Sequence, residues 1–188
     1  MLSCRYDSIP RMRSCLQPGL WGKLLPCLPS GKEIVLSMTG KDDEHYMRLA
    51  LRQADTAFSK GEVPVGAVIV KDNSVIASAC NSREMETDPT AHAEIKALRK
   101  GALETDSWRL SDATLYVTKE PCVMCAGAMV NARLGRLVFG CRDNRYGAVE
   151  SRYRILSEGK LNHSVEVISG VLENECSDIL KRFFQMRR

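Results

Sequence analysis

From Asp42 onward, apolar side chains recur at helical spacing: Met47, Ala50, Leu51, Ala54, Ala57 and Phe58. Asp42 or Asp43 suits the cap of that helix, and Gly61 suits its end. The pattern then shortens. VGAVIV and VIASAC flank KDNS, which predicts a β-hairpin with Asp72-Asn73 in the turn. A second helix is predicted at about 91–102, opened by Asp88 as a cap and Pro89 in the first turn. ATLYVT (113–118) reads as a strand, PCVMCAGAMVNAR opens a helix, and GRLVFG (135–140) is a further strand. SVEVIS (164–169) and the amphipathic ENECSDILKRFF close the series as strand and helix.

This alternation of strand and helix predicts an α/β chain: a mixed, mostly parallel five-stranded sheet with helices on both faces. Ligands of such sheets bind beyond the carboxyl ends of the strands. Three segments fall there: 88–94, 119–125 and 141–150. Residues 1–40 look different. Pro10, Pro18, Pro26 and Pro29 break any helix, and GLWGKLLPCLPSG is too interrupted for a secretory apolar core. The basic, acid-poor character is a faint organellar signal without the amphipathic helix that would support it. The expectation is a disordered or untranslated extension over 1–40, with Met38 as the true start, and one folded domain over 41–188.

A chain of 188 residues suits one such domain with a full core. No apolar run approaches the ~18 residues that cross a bilayer, so a membrane-spanning role is excluded. The net charge of +4 is concentrated in residues 1–40, where Arg5, Arg11, Arg13, Lys23 and Lys32 face Asp7 and Glu33. The remainder is nearly neutral, so any contact with a polyanion must come from a local patch. Of eight cysteines, Cys122 and Cys125 are the close pair; the others lack the density of a disulfide framework. That usage fits reduced thiols in a cytoplasmic protein, with Cys80, Cys141 and Cys176 as small buried side chains.

Cys122 and Cys125 lie three residues apart at a predicted helix start behind Pro121, where the helix dipole lowers thiol pKa values. Two such thiolates suit Zn²⁺, which takes four tetrahedral N or S ligands. A redox pair is the alternative, but the aromatic residue expected before it is missing. A closed four-cysteine site would need a second thiol pair, and the remaining cysteines are scattered. Of the three histidines, His45 and His163 suit surface or capping positions, while His92 starts a helix at the same sheet end. His92, Cys122, Cys125 and a water would make an open, catalytic zinc site. Residues two apart on a helix point about 200° apart, so a site using both His92 and Glu94 must lie off the helix tip. Two thiolates cancel the charge of Zn²⁺, and a carboxylate such as Glu94 is then needed to take the proton of water and deliver it to a substrate. Glu94 could otherwise simply favour the helix dipole.

HAE (92–94) with PCVMC (121–125) matches H-x-E…P-C-x-x-C, the known signature of zinc-dependent nucleobase deaminases. Further blocks in order, VPVGAVIV, DPTAHAEIKALR, ATLYVTKEPCVMCAGAM, GRLVFGCRD, LNHSVEV and FFQMRR, resemble the bacterial tRNA-specific adenosine deaminases over about residues 42–188. The resemblance implies a three-layer α/β/α cytidine-deaminase-like fold, a homodimer, and one zinc per subunit. It implies conversion of adenosine to inosine at the wobble position of a tRNA anticodon, with water adding at C6 and ammonia leaving. By motif, His92, Cys122 and Cys125 hold zinc, Glu94 shuttles protons, the Ala93 amide contacts the base and Asn81 binds the nucleoside. Asp143 would touch adjacent nucleotides, and Phe184 and Arg188 would flank the anticodon loop. Arg142, Arg145, Tyr146, Arg152 and Arg154 form a basic, aromatic stretch suited to splayed single-stranded bases, and Lys181, Arg182, Arg187 and Arg188 surround Phe183 and Phe184. Lys181 and Arg182 also suit a solvated helix end, and Phe183 a core position. The sequence ends at QMRR, where relatives often continue into a basic tail, so weaker non-specific RNA affinity is expected. Two other functions stay open: a deaminase of a free base or nucleotide such as guanine, cytosine or deoxycytidylate, and a non-catalytic zinc-binding RNA module, in which Glu94 would have no task.

Overall fold

A computed structural model describes residues 40–156 and 161–187. The expectations for residues 1–39 and for Arg188 lie outside them. The elements in chain order are α1 (Gly40–Ser59), β1 (Gly66–Lys71), β2 (Ser74–Cys80), α2 (Arg83–Glu86), α3 (Ala93–Glu104), β3 (Ala113–Lys119), α4 (Val123–Asn131), β4 (Arg136–Cys141), β5 (Glu166–Ser169) and α5 (Glu173–Met186). Among the described residues, no helix is long and apolar enough to cross a membrane.

The sheet is mixed, in the order β2-β1-β3-β4-β5. β1 pairs antiparallel with both β2 and β3, while β3, β4 and β5 pair in parallel. Four strands therefore run one way and β1 alone is reversed, which is the mostly parallel sheet expected. α3 carries the chain from β2 to β3 across β1. This brings the carboxyl ends of β2, β3 and β4 to one edge, beside the start of β1.

Both faces of the sheet are covered, and that explains the unbroken apolar runs. Along β1, Ala67 and Ile69 enter one core while Val68 and Val70 enter the other. β3 divides likewise, with Leu115 and Val117 against Tyr116, and β4 with Leu137 and Phe139 against Val138. The first core is shared with α3 and α4 through Ala97, Leu98, Ala126 and Met129; the second includes Met47 and Ala50 of α1 and Cys176 of α5. The result is three layers.

Asp72 and Asn73 both take positive φ (50° and 57°), as the predicted turn requires, and Tyr46 Oη donates to the Asn73 carbonyl at 2.8 Å. The start of α3 departs from expectation. It begins at Ala93 with His92 as N-cap, and Asp88 instead closes a turn, its Oδ1 accepting from Thr90 N and Oγ1, each at 2.7 Å. The four-residue α2 is too short to show a period. Asp43 is no cap either. It lies in the first turn of α1 and takes both Arg136 nitrogens (2.9 and 2.8 Å) and Tyr116 Oη (2.8 Å), joining α1, β3 and β4. Cys141 and Cys176 are buried as expected, and Cys80 is half-buried.

Gly66 sets how closely α1 approaches the sheet: a Cβ there would stand 2.0 Å from the Ala50 carbonyl oxygen and 2.5 Å from Ala54 N. Backbone cannot yield as a flexible side chain does. Gly66→Ala is therefore expected to lower unfolding free energy by about 1–3 kcal/mol or more in urea titration, and an unchanged midpoint contradicts this packing.

Candidate active site

α3 and α4 pack on the same face of the sheet with their N-termini at its carboxyl edge. His92 is the N-cap of α3 and Cys122 that of α4, both with extended backbone (ψ 149° and 175°). Each backbone carbonyl accepts the first helical hydrogen bond, from Lys96 N at 3.0 Å and Ala126 N at 2.9 Å. Neither side chain makes a capping bond, so imidazole and thiol are left to project beyond the helix tips. Cys125, in the first turn of α4, is buried beside them.

The three ligand atoms form a nearly regular triangle. Cys122 Sγ lies 3.7 Å from Cys125 Sγ and 3.7 Å from His92 Nδ1, and Cys125 Sγ lies 3.5 Å from Nδ1. Tetrahedral zinc with Zn–S of about 2.3 Å and Zn–N of about 2.0 Å demands sulfurs about 3.8 Å apart and S–N separations of about 3.5 Å. The triangle meets that demand. Among the described residues this is the cluster of His, Cys and acidic side chains close enough to hold a metal. The electrostatics agree with the geometry. Hydrogen bonding with Cys125 pulls the Cys122 thiol down to about 3, and the same contact, with burial, drives Cys125 upward. Two sulfurs this close cannot both be anionic unless a cation neutralises them.

Glu94 completes the centre. It is 4% exposed, and burial raises its pKa. Because His92 is an extended cap rather than a helical residue, both it and Glu94 reach one cavity, off the helix tip as expected. That cavity measures about 430 Å³. Val63 and Val65 give it an apolar wall, Asn81 a polar one, and Tyr146 and Phe184 are exposed at 66% and 51%. Ala93, between His92 and Glu94, is the first residue of α3, and its N–H is one of the four that a helix cannot use internally.

Asn81 ends β2 and donates from Nδ2 to Glu62 Oε2 at 3.1 Å. Asp143 lines the cavity, 2.5 Å from Lys119 Nζ, and accepts from Arg145 N (2.9 Å) and Tyr146 N (3.2 Å). Burial alone would raise its pKa, but Lys119 and those amides hold it low. Arg142 stands apart, paired with Glu150 at 2.9 Å and lining a neighbouring groove with Phe184 and Lys181. Arg145 lines a hollow of about 500 Å³ that shares Asp143, Tyr146 and Phe184 with the main cavity. Phe183 is core, as expected. His45 is exposed, and His163 is bonded to the Leu134 carbonyl at 2.7 Å; neither approaches the site.

Glu120 and Glu62 are absent from the sequence reading. Glu120 is buried next to Pro121 and accepts from the backbone of Asp143 (3.0 Å), Val149 (3.1 Å), Glu150 (2.8 Å) and Ser151 (2.9 Å), and from the Ser151 hydroxyl. It holds the loop that carries Asp143, Arg145 and Tyr146. Gly147 allows this, since a Cβ there would lie 2.4 Å from the Glu120 carboxyl carbon. No local pattern marks Glu120, because its donors lie more than twenty residues away.

A family model for MafB19-like deaminases matches residues 41–188. The tRNA-specific adenosine deaminase of Haemophilus influenzae is 52% identical over 147 residues, covering 78% of this chain and 85% of that protein. Its Bacillus subtilis counterpart is 47% identical over 146 residues, covering 78% and 91%. A solved structure from work on A-to-I editing by tRNA:A34 deaminases at the wobble position of transfer RNA superposes with a TM-score of 0.70 at 46% identity, covering 72% of this chain and 99% of that one. A guanine deaminase from Nitrosomonas europaea, 24% identical with a TM-score of 0.62 over 74% and 83% of the two chains, shares the fold.

Glu120→Gln places an amide N–H against backbone N–H donors and leaves at least one of them without an acceptor. The expected cost is about 1–3 kcal/mol in urea titration. A neutral substitution would show that the loop holds itself.

Proposed function

The chain belongs to the tRNA-specific adenosine deaminases, and from that membership we propose that it converts adenosine to inosine at the wobble position of a tRNA anticodon, in the cytoplasm, with one zinc per subunit. The observation that carries the reading is the His92, Cys122 and Cys125 triangle, with His92, Cys122 and the buried Glu94 lining one cavity. These three side chains hold the metal. Bound there, zinc supplies Lewis acidity that brings water near to ionisation at neutral pH.

The rest of the work falls to the protein. Glu94 takes the proton released by water as oxygen enters at C6 of adenine, and passes it on so that the amino group departs as ammonia. Val63 and Val65 give the base an apolar wall that excludes bulk water. The Ala93 amide holds the base, Asn81 holds its nucleoside, and Asp143 meets a neighbouring nucleotide. Phe184 offers a stacking face, and Arg142, Arg145 and Arg188 offer charge to the backbone of the anticodon loop. Such a loop presents its bases already unpaired, which lowers the cost of extracting one.

We assign the homodimer to the outward face of α4. Val123 and Met124 are exposed there, and nothing lies within 4 Å of a Cβ built on Gly127. These positions share one side of the helix. Met124→Glu is expected to shift the protein to monomer in analytical ultracentrifugation at micromolar concentration. A variant that remains dimeric moves the interface elsewhere.

The functional test is to incubate purified protein with an anticodon stem-loop and, separately, with free nucleosides, measuring zinc in the same sample. Inosine in the RNA and near-stoichiometric zinc are expected. Turnover of nucleosides with no inosine in the RNA overturns the substrate. Glu94→Ala should keep zinc and RNA binding yet lose at least ~10²-fold in rate, and unchanged deamination overturns the mechanism.

A further inference from the structure

Glu62 is a carboxylate that the proposed chemistry does not use, and it is 1% exposed. Its position follows from how α1 ends. Gly61 takes φ +74°, Gly61 N donates to the Phe58 carbonyl at 3.0 Å, and Glu62 N donates back to the Ala57 carbonyl at 3.0 Å. This left-handed helix stop turns the next residue inward. Arg187 of the α5 terminus donates to the Gly61 carbonyl and fastens the turn from the other side.

Turned inward, Glu62 meets the cavity wall. Its Oε2 accepts from Asn81 Nδ2 at 3.1 Å and its Oε1 from Met85 N at 2.8 Å. Asn81 is also held by its backbone, since its N–H donates to the Val65 carbonyl at 3.0 Å. An asparagine side chain can be rotated end for end at little steric cost, so its orientation is set by its partners. With both Glu62 oxygens occupied as acceptors, the amide nitrogen of Asn81 must face Glu62. The carbonyl oxygen is thereby kept available to the cavity as an acceptor.

We propose that Glu62 is a positioning residue, which sets the orientation in which Asn81 meets the target nucleoside and holds α2, with Arg83 at the cavity wall, in place through Met85. This rests on the reading of Asn81 as a nucleoside-binding residue. Glu62→Gln presents a donor to one of two donors, so the Asn81 amide loses its single orientation.

The test is a double-mutant cycle on stem-loop deamination using Glu62→Gln, Asn81→Ala and the pair, with zinc content and thermal stability followed in each. Glu62→Gln is expected to lower kcat/KM by roughly tenfold or more, chiefly through KM, with zinc retained. In the Asn81→Ala background the same change should cost markedly less, the remainder being the Met85 contact that Glu62 also makes. Equal penalties in both backgrounds, or no penalty in the first, overturn the proposal. The Asn81→Ala variant alone tests the underlying reading separately: a raised KM with zinc retained supports it, and an unchanged KM overturns it. Should Glu62→Gln fail to fold, nuclear magnetic resonance of the unaltered protein decides. The Asn81 side-chain amide, identified by its loss in Asn81→Ala, should exchange slowly with solvent, and rapid exchange overturns the proposal.

Discussion

Two helix N-termini aimed at one end of one sheet are the constraint on which the site depends. α3 and α4 reach that end because each follows a strand that runs toward it. Their caps are His92 and Cys122, residue types that make no capping bond here and whose side chains can therefore leave the helix axis. Both helix dipoles present their positive ends to the same space, which favours thiolate and any anionic group drawn there. Sulfur, sulfur and nitrogen at 3.5–3.7 Å spacing follow from this backbone arrangement.

Around this centre, buried carboxylates divide into two kinds. Asp43, Glu62 and Glu120 accept hydrogen bonds from segments far away in sequence, and each fastens one element or loop to another. Asp143 sits between, tied to Lys119 while lining the cavity. Glu94 is the exception. It lies beside thiols and imidazole, where burial dominates its proton affinity. Carboxylates in such different settings suit different roles, and the one whose proton affinity is raised by burial suits the proton transfer proposed for it.

The cavity rim has a different character from its floor. Tyr146 and Phe184 are exposed beside Arg145, and the adjoining hollow shares this wall. A nearly neutral body with aromatic and cationic groups gathered at one opening suits unpaired nucleotides better than duplex, because stacking needs exposed bases and the charge acts locally.

Much of this was legible in the chain itself. The helical period of α1, the hairpin turn at Asp72-Asn73 and the doubly buried strands are local patterns, readable because side-chain spacing reports which face is buried. The gathering of His92, Glu94, Cys122 and Cys125 was legible too, through two short motifs, HAE and PCVMC, whose residue types metal chemistry restricts. The true start of α3 was not. Asp88 and His92 compete for the cap, and Asp88 is taken by its own turn with Thr90. Glu62, Glu120 and Asp43 were beyond any local pattern, since a buried carboxylate has meaning only through its donors, and those arrive from other strands and loops. Spacing along the chain pointed to the side chains that the fold gathers at one end of the sheet. Only the packing of α1, α2 and the loop at 143–151 against the sheet edge decided which polar groups would hold them still, because such contacts join residues that the sequence keeps apart.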